Sequence, residues 1–230
     1  MSIKTISEQG YSIFPNLLPA ETLEPLRQLF ADLFADPELK RSRAGIRHAL
    51  GYEPVANIAR DPRLLEIAKA MLGPAAVPYH ATLFEKSPKA NWLVVWHQDT
   101  ALPLRERKER VGWGPWSVKE GINYAHAPAT ALSQVLALRL HLDDSTKDNG
   151  PLRVLPGTHN LGVLTDDALH DLSQRIAPVD CVAGRGGVVA MRPLLAHSSS
   201  KSLNDAPRRV LHIEYAASME IEEGFVLAQA

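Results

Sequence analysis

The sequence predicts a mainly β protein, with an all-β sandwich or barrel flanked by helices from the N-terminal part of the chain. From about residue 76 onward, short β-branched and aromatic runs are separated by Gly, Pro, Asn and Asp, which is typical of such folds. The 230 residues suit one all-β domain. Hydrophobic residues make up 45% and charged residues 22%, an ordinary globular composition. We therefore expect a single domain spanning residues 1–230.

Residues 1–75 show the helical signals. A short strand is predicted at residues 10–15, and residues 19–30 follow with apolar side chains at helical spacing. A second helix is predicted at residues 61–72, because an Asp-Pro pair suits its start and a Gly-Pro pair its end. We expect both helices to be packing elements.

Residues 76–217 supply the predicted β core. We place its strands at residues 77–86, 92–97, 133–142, 152–155, 179–183, 187–191 and 208–217. Residues 100–130 form a long connection, and connections of this length are usually functional lids or disordered inserts. Trp113 and Trp116 make disorder less favoured, so we expect a lid-like insertion. The two tryptophans either close over a substrate or anchor the segment to the barrel.

The charge pattern favours a small-molecule partner. The formal net charge is -1, so there is no basic excess to bind nucleic acid or an anionic membrane surface. The polar first ten residues predict neither a secretory signal nor a membrane anchor, and we expect a cytoplasmic protein. Cys181 is the single cysteine, which excludes an intrachain disulfide and a thiolate-cluster metal site. The oligomeric state stays open.

The segment Trp96-His97-Gln98-Asp99 is the most informative in the chain. An apolar strand ends there, and alternation along a strand places His97 and Asp99 on one face. An imidazole and a carboxylate supply two of the three ligands of a facial triad, which leaves positions on iron(II) open for substrates. Taken alone, the pair is a weak signal, because a buried hydrogen bond between the two side chains is an alternative.

Two later residues strengthen the metal-site interpretation. A second apolar run ends at His197, the natural third ligand, and Arg208 lies at the start of a final strand. A guanidinium binds a carboxylate through two parallel hydrogen bonds, so an inward arginine near an open metal site suits a dicarboxylate. Arg209 competes for this role because neighbouring strand residues face opposite ways, and we prefer Arg208.

As an ordered set, these residues resemble the phytanoyl-CoA dioxygenase family of iron(II)- and 2-oxoglutarate-dependent oxygenases. The resemblance covers most of the chain and rests on residues 96–99, residues 149–159 and residues 197–199 followed by Arg208. It implies a double-stranded β-helix, or jelly roll, flanked by helices. It also implies iron(II) as cofactor, with 2-oxoglutarate and O2 as co-substrates.

The resemblance also assigns roles to individual residues. His97, Asp99 and His197 would bind the iron, while Arg208 and Ser199 would bind the distal carboxylate of 2-oxoglutarate. In addition, a lysine that contacts the co-substrate in some relatives corresponds here to Lys86. In halogenating members a small residue replaces the carboxylate ligand, so the presence of Asp99 favours hydroxylation.

Arg139 departs from the family pattern, since many relatives carry an aromatic residue at this place, and the departure affects the co-substrate pocket. Arg139 and His141, together with Trp113 and Trp116, are our candidates for substrate binding. His141 and His212 could line the pocket, although a satisfied core histidine is the commoner case. A structural role is the default for His159.

We therefore predict a dioxygenase that hydroxylates a small metabolite and releases succinate and CO2. Desaturation and ring formation stay open, because they depend on the placement of the substrate. One alternative is a cupin-type metal-dependent hydrolase or isomerase that uses the same three ligands, which gives Arg208 no role. Another is a non-catalytic jelly roll that binds a ligand or a partner chain.

Overall fold

The computed structural model of the protein describes residues 3–36, 45–88 and 90–229. Within these ranges the α-helices are α1 (Ile3–Gln9), α2 (Ala20–Ala35), α3 (Glu53–Ala59), α4 (Pro62–Leu72), α5 (Ala129–Leu132) and α6 (Asp166–Arg175). The strands of the first half are β1 (Tyr11–Phe14), β2 (Val77–Lys86), β3 (Val94–His97), β4 (Ala101–Leu104), β5 (Trp116–Lys119) and β6 (Ile122–His126). The later strands are β7 (Val135–His141), β8 (Leu152–Val154), β9 (Val179–Cys181), β10 (Val188–Met191), β11 (His197–Ser199), β12 (Arg208–Ala216), β13 (Glu220–Glu222) and β14 (Phe225–Val226).

Two antiparallel sheets form the centre of the fold. The larger has the strand order β1-β10-β7-β12-β2, and the smaller has the order β3-β11-β8-β9. Side chains from β2, β7 and β12 share one cavity with side chains from β3, β8 and β11, so the two sheets enclose a common interior. This arrangement is a jelly roll, and it confirms the mainly β fold class with flanking helices.

Alternation along the larger sheet separates an apolar face from a polar face. On β12, Leu211 and Ile213 belong to the hydrophobic core formed with the N-terminal helices, and Leu83 of β2 lies in the same cluster. Arg208 and His212 have the opposite parity and line the interior cavity. Because successive side chains on a strand point to opposite faces, one strand seals the core and supplies polar groups to the site.

The N-terminal helices cover the outer face of this sheet. Helix α2 buries Leu23, Leu26 and Phe30, and α4 contributes Leu64 and Ile67 to the same cluster. The predicted start of α4 is confirmed, because the Asp61 carboxylate accepts a hydrogen bond from the Arg63 backbone N–H at 2.9 Å. No helix in the described ranges is long and apolar enough to cross a bilayer.

Each strand predicted from the sequence is present, with ends that differ by up to two residues. The expectation of a loop across residues 100–130 is wrong, because β4, β6 and β5 form a three-stranded sheet there. Its strands are only four or five residues long, and charged residues separate the first two, which obscures their alternation. The lid function and the single domain over residues 1–230 stay predictions.

Candidate metal centre

Two histidines lie opposite each other in neighbouring strands. His97 ends β3 and pairs with His197 at the start of β11, so that their ring centroids are 4.1 Å apart. Asp99 lies between them, with Oδ1 3.8 Å from His97 Nε2 and Oδ2 3.5 Å from His197 Nε2. One nitrogen or oxygen from each residue falls within 4.8 Å of the others, which is close enough for a single metal ion to bind all three.

Backbone carbonyls fix the tautomer of both histidines. Nδ1–H of His97 donates to the Val95 carbonyl at 2.9 Å, and Nδ1–H of His197 donates to the Leu195 carbonyl at 2.8 Å. A carbonyl can only accept, so the proton resides on Nδ1 and the Nε2 lone pair is directed toward Asp99. Burial, with a contribution from His97, lowers the pKa of His197 to about 3, which keeps this ring neutral.

Asp99 provides the anionic member of the group. Burial alone would raise its pKa, but His197 and His97 outweigh burial and bring the pKa to about 2. Its backbone N–H donates to the Pro193 carbonyl at 2.9 Å, which holds the segment beyond β3 against the chain before β11. Two neutral nitrogens and one carboxylate oxygen on adjacent strands are the donor set of a facial triad.

Gln98 lies between His97, the last residue of β3, and Asp99, and its side chain points away from both. Its amide Nε2 donates to the carbonyls of Gly162 at 2.9 Å and Leu194 at 2.7 Å. Its Oε1 accepts the Leu164 backbone N–H at 2.8 Å. The sequence interpretation missed this role, although an amide placed between two candidate ligands was the available signal. With all three bonds made, the side chain holds the donor segment in place.

A cluster of cations occupies another part of the interior. Lys86 and Arg208 are paired across β2 and β12, and the Lys86 ammonium donates to Ser199 Oγ at 2.7 Å. Arg208 Nη2 lies 3.5 Å from the same oxygen, and its Nε donates to the Asn149 carbonyl at 3.4 Å. Ser199 in turn donates to the Gly150 carbonyl at 2.8 Å. The three predicted co-substrate residues are therefore brought together.

These two cations have no acidic ion-pair partner among the described residues. Burial, together with Arg208 and Arg139, lowers the pKa of Lys86 to about 8. Burial, together with Arg139, lowers the pKa of Arg208 to about 9. A buried charge is costly unless it is paired, so the cluster is suited to receive an anion.

Arg209 faces the other side of the sheet. Its Nε and Nη2 donate to the two oxygens of Asp143 at 2.7 and 2.8 Å, and Arg27 of α2 also contacts this carboxylate. Strand alternation therefore directs Arg208 into the interior and Arg209 toward the helices.

A cavity of about 280 Å³ connects the candidate ligands with the cations. Polar groups from both sheets and from the chain just after β3 line this cavity. They include Lys86, His97, Asp99, Arg139, His197, Ser199, Arg208 and His212. The metal site and the anion site thus share one cavity of a size that suits small molecules.

Three candidates for substrate binding lie outside this cavity. Trp113 stacks on Phe225 with ring centroids 4.0 Å apart, and Trp116 packs in the same hydrophobic cluster. Both anchor the three-stranded sheet, which fits the second of the two roles considered for them. His141 is fully buried and neither ring nitrogen has a partner among the described residues, so burial lowers its pKa to about 3.

Comparison with known proteins decides the family. The sequence profile described as Phytanoyl-CoA dioxygenase (PhyH) matches residues 6–210. The chain belongs to this family. The family name identifies its members as dioxygenases. The matched residues include every candidate metal ligand and each of the three co-substrate residues.

Curated relatives of this PhyH protein include a hydroxylase and a dioxygenase by name. L-proline trans-4-hydroxylase from Streptomyces griseoviridis is 26% identical over 90% of this chain and 82% of its own length. Ectoine dioxygenase from Sphingopyxis alaskensis is 23% identical over 94% of this chain and 75% of its own length.

Solved structures share the fold. EctD from S. alaskensis with bound Fe superposes with a TM-score of 0.72 at 21% identity, covering 96% of this chain and 76% of that one. EctD with 2-oxoglutarate and 5-hydroxyectoine has a TM-score of 0.71 at 19% identity, covering 95% of this chain and 75% of that one. The predicted PhyH family and jelly roll are confirmed, as are the class of 2-oxoglutarate-dependent dioxygenase and its iron cofactor.

Substitution of Gln98 tests its positioning role. We expect Gln98→Ala to weaken iron(II) binding by about 10- to 100-fold, the usual cost of losing a group that orients metal ligands. Competition with a chromogenic chelator measures the affinity. Gln28→Ala is the matched control, because that amide lies on the exposed face of α2 and donates to Asp32. Equal iron affinity in a folded Gln98→Ala variant and the wild type would contradict the role.

Proposed function

We propose that this enzyme hydroxylates a small-molecule metabolite, with His97, Asp99 and His197 binding iron(II). In the same proposal, Lys86, Ser199 and Arg208 bind the distal carboxylate of 2-oxoglutarate, which is consumed to give succinate and CO2. The observation that supports it most strongly is a single cavity that holds both a three-donor metal site and a cluster of unneutralised cations.

Each part of the site has a defined task. Bound iron(II) would supply the activation of O2 and the oxidation of a C–H bond. The chain's own residues would bind the metal on one side and bind the distal carboxylate of the co-substrate. The walls of the cavity would limit the access of water to the metal. Ser199 lies between the two cations and donates its single proton to the Gly150 carbonyl, so its O–H would rotate from Gly150 to donate to the carboxylate that the cations neutralise.

A small-molecule substrate agrees with the relatives, whose names specify L-proline and ectoine. The cavity volume supports the same size class. A cytoplasmic location and the absence of nucleic-acid and membrane partners stay predictions. Hydroxylation is proposed over halogenation because Asp99 occupies the carboxylate position.

The alternatives account for less of the site. A cupin-type hydrolase or isomerase would use the three donors but leave Lys86 and Arg208 buried without a counter-ion. A non-catalytic jelly roll would need neither the ordered tautomers of the histidines nor the cations. Both alternatives differ from the proposed oxygenase in how the protein should respond to iron(II) and 2-oxoglutarate.

Anaerobic addition of iron(II) and then 2-oxoglutarate to the purified protein tests the proposal. We expect the visible charge-transfer band of an iron-chelated 2-oxo acid in the wild type. His197→Ala should lose this band because one metal ligand is missing, whereas His170→Ala on the exposed face of α6 should keep it.

The other outcomes would support the alternatives. Folded wild-type protein that binds iron but gives no band would favour a cupin-type enzyme without a 2-oxo acid. Protein that binds no iron would favour the non-catalytic jelly roll. A band that persists in His197→Ala would disprove the ligand assignment.

The neighbouring arginines provide a matched pair for the co-substrate. We expect Arg208→Gln to raise the Kd for 2-oxoglutarate by about 10- to 100-fold, since a charged hydrogen-bonding partner is removed. Arg209→Gln should leave that Kd within about twofold, because this guanidinium binds Asp143 outside the cavity. Titration of the charge-transfer band measures both. The reverse ranking would refute the assignment.

The Lys86 ammonium predicts a pH dependence for co-substrate binding. Its pKa in the free protein is about 8, so it is charged and attracts a carboxylate below that pH and loses this charge above it. Affinity for 2-oxoglutarate should therefore fall as pH rises from 7 to about 8.5. Lys86→Met should bind more weakly at pH 7 and show a flatter profile. An identical slope in both proteins would show that another group titrates.

A further inference from the structure

Arg139 is a third cation in the cavity, and it forms no ion pair with an acidic side chain among the described residues. Its Nη1 donates to His212 Nδ1 at 3.0 Å, and its guanidinium carbon lies 5.4 Å from the ring centroid of Phe84. Its Nε is buried without a hydrogen-bond acceptor, and no ion pair in the described residues includes it. A buried N–H without an acceptor is costly, so this guanidinium retains the capacity for further hydrogen bonds.

The sheet register separates Arg139 from the Lys86 and Arg208 cluster. Arg139 lies opposite His212 on β12, whereas Lys86 lies opposite Arg208. The offset of four positions along β12 from Arg208 to His212 corresponds to about 13 Å of backbone. One 2-oxoglutarate carboxylate placed at Lys86 and Arg208 therefore leaves Arg139 available.

With iron(II) and 2-oxoglutarate bound, the charges around the cavity would not cancel, and a further anion would be favoured. Iron(II) and the 2-oxoglutarate dianion cancel, and Asp99 offsets one of the three buried cations, which leaves an excess of about two positive charges. Arg47 and Glu85 also line the cavity, but Arg47 forms an ion pair with Glu120 at 3.5 Å and Glu85 lies opposite Arg209 in the sheet, so neither changes this excess.

The neighbouring buried carboxylate reduces this excess by at most one charge. Glu214 is not among the residues that line the cavity, and it accepts hydrogen bonds from His80 at 2.6 Å and Tyr79 at 3.1 Å. His212, in contrast, faces the cavity beside Arg139. Burial lowers the pKa of His212 to about 4, so the ring is neutral and accepts the Arg139 N–H.

We propose that Arg139, oriented by His212, binds a carboxylate of the substrate, so that the enzyme selects carboxylic acids over their neutral amides. This inference rests on the proposed function, because it assumes that 2-oxoglutarate occupies Lys86 and Arg208. A planar carboxylate accepts two parallel N–H bonds from a guanidinium, whereas an amide offers one acceptor and no charge.

Matched acids and amides test this selection. The anaerobic protein is loaded with iron(II) and saturating 2-oxoglutarate, and each probe is titrated while the charge-transfer band is recorded. The probes are L-proline with L-prolinamide and the other protein amino acids with their amides. We expect at least one acid to perturb the wild-type band at about tenfold lower concentration than its amide.

The variants separate Arg139 from its surroundings. Arg139→Gln should keep the band with 2-oxoglutarate and lose the preference for acid, while Arg209→Gln should keep both. Arg139→Lys, which retains the charge without the forked donors, should keep the band and show a weakened preference. The lysine variant decides the matter if the glutamine variant does not fold.

Three results would overturn the proposal: no acid preferred over its amide in the wild type, an unchanged preference in the variants, or a tenfold rise in the Kd for 2-oxoglutarate in Arg139→Gln. The last result would assign Arg139 to the co-substrate. Absence of the band from wild-type protein would instead reject the proposed function, and the inference with it.

Discussion

The antiparallel pairing of β3 with β11 determines where the chemistry of this protein takes place. It sets His97 against His197, and the turn of chain after β3 brings Asp99 between the two rings. Two backbone carbonyls then direct both Nε2 lone pairs inward. Three donors from two distant segments of the sequence thus converge without any long loop between donor and strand, which reduces the ordering cost of binding a metal ion.

The larger sheet imposes an electrostatic constraint on the same interior. Its inward face buries Lys86 and Arg208, which form no ion pair with an acidic side chain among the described residues, and a folded protein tolerates this only at a cost in stability. Binding of an anion would offset that cost, so the same buried charges account for the cost in stability and for the expected affinity for a dicarboxylate. The lowered pKa values of Lys86 and Arg208 reflect this electrostatic cost.

Much of this arrangement follows from local sequence rules. Alternation placed His97 and Asp99 on one face and separated Arg208 from Arg209, and turn residues located the strands of both main sheets. Register does not follow from such rules, because pairing between β3 and β11 joins segments one hundred residues apart. The small sheet of β4, β5 and β6 was missed for a related reason: its short strands are recognisable only by their partners. The hydrogen bonds of Gln98 likewise depend on chain segments that no local pattern identifies.

Those bonds have an evolutionary consequence. Gln98 ties the metal-binding segment to Gly162 and Leu164, which lie just before α6 and do not line the cavity. Drift in that connecting segment can therefore adjust how firmly the metal is retained while the surfaces that meet the substrate stay the same. Residues such as Arg139 can diversify independently, so metal retention and substrate choice are separable traits in this scaffold.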